Sequence, residues 1–281
     1  MRDDNLPALI RLALREDLGN AGDLTTRHFV AASARLKGAI VAKQRGVVCG
    51  LDVAAQVFKA VSPKIRFRKA TRDGRTARPG EAVAWVCGPR EVLTAERTAL
   101  NFLQRLSGIA TLTRAFVEKV RGTRARILDT RKTHPGWRAL EKYAVRAGGG
   151  RNHRLGLYDM VMLKDNHWTA LKDPAAALRR FRKARPGVPV LIEAKSAREV
   201  EAALEWGGDI ILLDNMPPAR IKAAIAMIRR RSPRTRIEVS GGVSLENVRR
   251  IALLGPDRIS VGALTHSAPA MDFSLEIGFK G

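Results

Sequence analysis

The sequence predicts an α/β protein in two parts, a small α+β domain followed by a (β/α) barrel. Two observations carry this. Through the second part, short apolar runs alternate with helical segments, and the runs end in charged, polar or glycine-bearing groups. The length, 281 residues with 45% hydrophobic and 28% charged, is that of a globular chain of one or two domains with a substantial core.

Residues 5–18 place Leu6, Leu9, Ile10, Ala13 and Leu14 at helical spacing. "LKGAIVAKQRGVVCG" and "AVAWVCG" read as strands, "LDVAAQVFKAV" as the helix between them, and "KIRFRKA" as a shorter strand. Residues 90–120 are helical, with an interruption expected near Ser107-Gly108. The pattern then changes. "ARILDT", "MVMLK", "VPVLIEA", "DIILLDN", "RIEVSGG" and "RISVGA" follow in turn, with helices expected over 167–185, 197–206, 217–231 and 244–254. Such alternation implies parallel strands joined by right-handed crossovers, and six continuous apolar strands favour a barrel over an open sheet.

The amino terminus carries acids early and lacks the layout of a signal peptide, and no apolar run approaches the roughly 18 residues of a membrane span. Cys49 and Cys87 are too few for a disulfide framework or a cysteine-rich zinc site, so reduced thiols and a cytoplasmic location are expected. The formal net charge is +24, with 37 Arg and 14 Lys. Either the field attracts a polyanion, or much of the excess is solvated helix surface, as in "LRRFRKARP". A nucleic-acid-binding protein is the rival class, but aromatics are only 5% and no recognition motif for nucleic acid is present.

In a parallel barrel all strand C-termini share one face, so the groups ending the six runs converge there. "VSGGV" and "SVGALTHS" read as a phosphate grip after the last two strands, because glycines admit phosphate oxygens to backbone N–H groups. Glu193 and Asp214 end neighbouring runs; they bind a hard cation such as Mg²⁺, hydrogen-bond ribose hydroxyls, or merely neutralise nearby cations. Arg131, Lys132, Arg154 and Lys164 flank strand ends or the Gly148-Gly149-Gly150 turn and should point into the mouth. Arg138, Lys142 and Arg146 fall at i, i+4 and i+8 of one helix and read as a solvated face. His134, His153 and His167 lack zinc-ligand spacing.

The stretch "DTRKTHPGWRALEKYAVRAGGGRNHRLGLYDMVMLKDNH" (129–167) resembles the signature of the quinolinate phosphoribosyltransferases. Further matches run along nearly the whole chain: "LREDLGNAGDLTT", "ERTALNFLQRLSGIAT", "DIILLDN", "IEVSGGV" and "ISVGALTHSAP". The resemblance implies an N-terminal α/β sandwich-like domain over 1–110, joined by a C-terminal tail over 270–281, and an open (β/α) barrel over 111–269. It implies transfer of phosphoribosyl from phosphoribosyl pyrophosphate to quinolinate, with loss of CO₂, in NAD biosynthesis. It also implies Mg²⁺ and a homodimer in which Arg97 serves the neighbouring subunit's site. Thr130, Arg131, Lys132, His153, Arg154 and Lys164 then belong to the quinolinate carboxylates or the diphosphate. Glu193 and Asp214 belong to ribose and metal, and with Lys132 form the catalytic set. Ser240, Gly241, Gly242, Val261, Gly262 and Ala263 belong to the 5′-phosphate. A sister group linked to molybdenum transport shares "TRKT-PG" and "HRLGL", whereas "KDNH" and "YAVRAGGG" favour the quinolinate enzyme. Two positions depart from the pattern: His134 stands where a small residue is expected, and Lys195 where an acid is common.

Overall fold

The computed structural model describes residues 5–279. In chain order the elements are α1 (Leu6–Leu18), α2 (Leu24–Phe29), β1 (Arg35–Ala42), β2 (Gly46–Val47), α3 (Leu51–Val61), β3 (Arg66–Lys69), β4 (Thr76–Ala77), β5 (Ala82–Pro89) and α4 (Glu91–Lys119). There follow β6 (Arg126–Leu128), α5 (Arg138–Ala147), β7 (Val161–Leu163), α6 (Asp165–Ala170), α7 (Pro174–Ala184), β8 (Val190–Ala194), α8 (Ala197–Glu205) and β9 (Ile210–Asp214). The chain ends with α9 (Pro218–Arg231), β10 (Arg236–Ser240), α10 (Val248–Leu253), β11 (Arg258–Ser260), α11 (Ala263–His266) and β12 (Phe273–Ile277).

Two compact units form. The first takes Met1–Arg114, Thr133–Gly149 and Leu264–Gly281; the second takes Ala115–Lys132 and Gly150–Ala263. This differs from the boundary expected at 110/111, because residues 133–149, placed by sequence order in the barrel, group with the first unit. Of the expected joining tail 270–281, the last two residues lie outside the described range.

The first unit is built on a sheet of order β12-β1-β5-β3. β12 reaches it from the far end of the chain and pairs antiparallel with β1, Gly38 facing Ile277 and Ala42 facing Phe273. The inner half of β1 is buried, as are Val57 and Phe58 of α3 and Phe102, Leu103 and Leu106 of α4, and the Phe58 ring lies 5.8 Å from that of Phe67 on β3. α3 starts at Gly50, whose φ of 108° suits glycine. Its first donors, which have no partner within the helix, are met from a distance, since the Asp73 carboxylate accepts from Gly50 N at 2.9 Å and Leu51 N at 3.2 Å. The Tyr143 hydroxyl also donates to Asp73, at 2.7 Å. Burial, then this hydrogen bond, push the Tyr143 phenol far above its ordinary value.

α5 departs from the solvated face expected of it. Arg146 is exposed and Arg138 half-buried, but Lys142 and Glu141 are both 0% exposed. The inward face of α5 is therefore partly ionic. Glu141 accepts from Arg105 Nη2 at 3.0 Å and from His134 N at 3.1 Å, and His134 Nδ1 lies 2.7 Å from it. His134 thus anchors its own loop to a buried carboxylate, through its backbone N–H and through its ring.

The second unit carries six parallel strands in the order β6-β11-β10-β9-β8-β7. The first strand in sequence pairs with the last, so the sheet curls toward closure as in a barrel. The paired order ends at β6 and β7, and Arg151 bridges Leu128 beside β6: Arg151 N donates to Ile127 O at 2.8 Å. β8, "VLIEA", is buried at all five positions, as expected of a strand covered on both faces. The helix expected over 167–185 is two, α6 and α7. Asp173 caps α7, accepting from Ala176 N at 2.9 Å, and Pro174 follows at its first position.

α4 is continuous through Ser107-Gly108, where an interruption was expected. Gly108 has another function: a Cβ there would drive into the Pro269 carbonyl oxygen and come within 3.0 Å of Ala270 Cα. Helix propensity alone makes Gly108→Ala stabilising by about 1 kcal/mol. Overpacking against backbone, which no rotamer relieves, costs about 1–3 kcal/mol and wins. We expect Gly108→Ala to lower Tm by several degrees, at roughly 2–4 °C per kcal/mol for a chain of this size; a raised Tm in calorimetry would overturn this account.

Candidate active site

Parallel register places the site. Asp214 on β9 is level with Ser240 on β10, Ser240 with Ser260 on β11, and Ser260 with Leu128 on β6. On the other side Leu213 is level with Ala194 on β8. The ends of β6, β11, β10 and β9 thus form one rim, with Asp129–Thr130, Asp214, Ser240–Gly242 and Val261–Ala263 on it or just beyond it, while Glu193, level with Leu212, sits one layer lower on β8 with Lys164 beside it.

The cations of the rim are held in distinct ways. Thr130 Oγ1 accepts from Lys132 N at 3.0 Å, which turns the chain tightly and leaves Lys132 exposed. Arg131 is half-buried, and its Nε is a buried donor without a hydrogen-bond partner. An orphaned buried donor of this kind calls for an incoming acceptor. Arg154 Nη1 donates to Met160 O at 3.2 Å and Nη2 lies 3.5 Å from Met162 Sδ. Burial, then the nearby Arg131 charge, hold the Arg154 guanidinium below its usual value. Two crowded guanidiniums are relieved when an anion arrives between them.

Lys164 Nζ pairs with Glu193 Oε2 at 3.2 Å, the carboxylate buried and the ammonium about half exposed. Asp214 accepts from Asn215 Nδ2 at 3.0 Å. Asn215 has a φ of 53°, rare outside glycine. Gly241, at φ 91°, packs so close to Asn215 Oδ1 that any Cβ would collide with it. Gly242, at φ 58°, completes the turn. Asn247 braces this loop, donating to Gly242 O at 2.8 Å and accepting from Ser244 N at 2.9 Å. Val261 is buried and donates to Leu128 O at 2.9 Å, while Gly262 and Ala263 open the short turn of α11.

His153, expected at the substrate, is 8% exposed with both ring nitrogens directed at protein groups. Nδ1 accepts from Arg154 N at 2.8 Å, and Nε2 lies 3.2 Å from Glu238 Oε1. Arg97 lies on α4 in the first unit with an exposed side chain. Lys195 is paired with Asp165 at 2.6 Å, and this bond, aided by the Glu193 and Asp214 charges, raises its ammonium above the usual value. Sequence reasoning passed over Asn247 and Glu238, and gave Asp129 and Asn215 no role beyond ending their runs. Asp129, wholly buried, accepts from His153 N at 2.8 Å and orients the HRLGL segment. Only its place at a run's end hinted at this.

Among the described residues no group of three or more His, Cys, Asp or Glu side chains could cage a metal. Glu193 and Asp214 form a smaller set of hard oxygen donors. That set fits Mg²⁺, which takes one or two carboxylates and completes its shell with water and substrate phosphate.

Comparison with known proteins identifies the family. Residues 23–107 match the model of the quinolinate phosphoribosyl transferase N-terminal domain, and residues 109–276 that of the C-terminal domain. The chain is 45% identical over 271 residues to the nicotinate-nucleotide pyrophosphorylase [carboxylating] of Mycobacterium leprae, covering 95% of each. It is 40% identical over 266 residues to the probable enzyme of that name from Synechocystis, covering 94% of this chain and 90% of the relative. The solved structure of NadC from Streptococcus pyogenes superposes with a TM-score of 0.91 at 40% identity, covering 98% of this chain and 97% of that one. That of the nicotinate-nucleotide pyrophosphorylase from Francisella tularensis gives 0.91 at 34% identity, covering 99% and 97%. By fold and by likeness along nearly its whole length, this chain belongs to the quinolinate phosphoribosyltransferase family.

Proposed function

We infer that the chain transfers the phosphoribosyl group of phosphoribosyl pyrophosphate to the ring nitrogen of quinolinate, releasing pyrophosphate and CO₂ and forming nicotinate mononucleotide for NAD biosynthesis. The observation that supports this is the gathering of Arg131, Arg154, Lys164, Glu193, Asp214 and the Ser240–Gly242 turn at the C-terminal ends of the parallel strands, in two adjacent layers. Such a set matches a substrate pair bearing two carboxylates, a 5′-phosphate and a diphosphate.

The chemistry follows from where charge moves. The pyridine nitrogen attacks C1 of the ribose as the bond from C1 to the diphosphate oxygen breaks, so C1 gains oxocarbenium character and the leaving group gains negative charge. Lys164 and the arginines stabilise the leaving group in a partly desolvated setting. Glu193 and Asp214 hold the ribose hydroxyls; together with the diphosphate they would also hold Mg²⁺, which supplies further positive charge to the leaving group. The backbone of Ser240–Gly242 and Val261–Ala263 takes the 5′-phosphate. When the 2-carboxylate departs as CO₂ the electron pair of the broken C–C bond stays at C2, where the adjacent positive ring nitrogen stabilises it, until it takes a proton from solvent. Lys132 stands at the 2-carboxylate and favours that step. The chain works as a homodimer in which Arg97 enters the neighbouring subunit's site, and the free thiols Cys49 and Cys87 fit a reducing cytoplasm.

Purified protein should release CO₂ only when quinolinate, phosphoribosyl pyrophosphate and Mg²⁺ are all present, with a chelator stopping turnover and nicotinate failing to replace quinolinate. Turnover of phosphoribosyl pyrophosphate without any response to quinolinate would sink the reading. Lys132→Ala should lower kcat by about 10²–10³-fold, the loss expected of one preorganised charge at a developing anion; near-normal kcat in steady-state assays would remove that assignment. If Arg97 acts across a dimer, mixing inactive Arg97→Ala with inactive Lys132→Ala subunits should restore about a quarter of normal activity, because random pairing leaves one intact site in each hybrid. Absence of any recovery after subunit exchange would place Arg97 elsewhere.

A further inference from the structure

Glu238 is a buried carboxylate that the reaction above does not use. It lies in the middle of β10, level with Leu212 on β9 and Arg258 on β11, and it is 0% exposed. Side chains of a strand alternate between faces, so Glu238 shares a face with Ser240, two residues along the same strand. Leu212 likewise shares a face with Asp214, and Glu193 is level with Leu212. Glu238 therefore sits one layer, about 6–7 Å, below the rim on the face that carries the functional groups.

Its surroundings are electrostatic. His153 Nε2 lies 3.2 Å from Oε1 and Arg258 Nη1 lies 3.9 Å from Oε2, while neither oxygen makes a well-aligned hydrogen bond. A carboxylate so buried persists only against compensating charge or dipole. The His153 tautomer follows from the other side of the ring. Arg154 N donates to Nδ1 at 2.8 Å, so Nδ1 is unprotonated and the ring proton is on Nε2, which lies 3.2 Å from Glu238 Oε1 without an aligned hydrogen bond.

The consequence reaches Arg154. Its backbone N–H is held by His153 Nδ1, and its guanidinium is held at Met160 O and near Met162 Sδ, close enough to Arg131 to feel its charge. We propose that Glu238 is a positioning residue: from the layer beneath Ser240 it orients the His153 ring, and the ring holds Arg154 in the place where it receives a substrate anion. His153 then acts through Arg154 instead of touching the substrate. The kinetic side of this proposal rests on the phosphoribosyl-transfer reading; the tautomer does not.

The first test uses wild-type protein with ¹⁵N-labelled histidine, the His153 signal being assigned by its loss in His153→Gln. An Nε2-protonated ring with unprotonated Nδ1 is expected, and an Nδ1-protonated ring overturns the proposal whatever the enzyme does. The second is kinetic. Glu238→Leu should raise KM for the anion that Arg154 holds, quinolinate or phosphoribosyl pyrophosphate, by roughly 10- to 100-fold, with a smaller effect on kcat. Glu238→Gln keeps an acceptor for Nε2–H and should recover most of that loss. Pairing Glu238→Leu with His153→Ala should add little to the worse single variant, as expected of residues acting in series. Additive effects, or a loss confined to kcat, overturn the proposal. Failure of the wild-type protein to use quinolinate would sink the functional reading and leave the tautomer result standing.

Discussion

The parallel register of six short strands is the constraint on which this site depends. Asp214, Ser240 and Ser260 are level neighbours because the backbone ladder makes them so, and a slip of one residue on β9 or β10 would turn Asp214 or Ser240 to the opposite face. That exactness is maintained by burial on both sides of strands such as β8, where no position is free to face water. Groups separated by scores of residues in sequence are thereby held within bonding distance, as Lys164 and Glu193 are at 3.2 Å.

The rim built on this frame is electrostatically crowded before any substrate arrives. Arg131 and Arg154 repel one another and Arg131 keeps an unanswered buried donor, and an anion placed at either would relieve it. Lys164 is instead held by its attraction to Glu193. Polar groups around the rim restrain its loops. Asp129 holds the backbone of His153, Asn247 holds the Gly242 turn, and Glu238 faces the His153 ring.

Much of the fold was legible because it rests on local pattern. The spacing of Leu51, Ala54, Val57 and Phe58 marks α3, and continuous apolar runs mark β8 and β9. The rim residues were legible too, since charged or glycine-bearing ends of apolar runs are readable one by one. Lys142 was misread. Its i, i+4 spacing with Arg138 and Arg146 is the pattern of a solvated face, yet it is wholly buried beside Glu141, on a helix whose ionic side turns inward. Gly108 was misread as a break for a similar reason: its meaning lies in Pro269 and Ala270, some 160 residues away. The grouping of residues 133–149 with the first unit likewise runs against chain order.

Sequence alone determined which residues could carry charge to an anion, which runs form strands, and where each run ends, because those properties depend on residue type and on neighbours within a few positions. Only the tertiary structure decided that His153 turns both nitrogens toward protein groups, that Lys195 is claimed by Asp165, and that Glu238 lies beneath Ser240. Those facts depend on register, burial and ring orientation, which arise when distant segments pack and have no signature in local spacing.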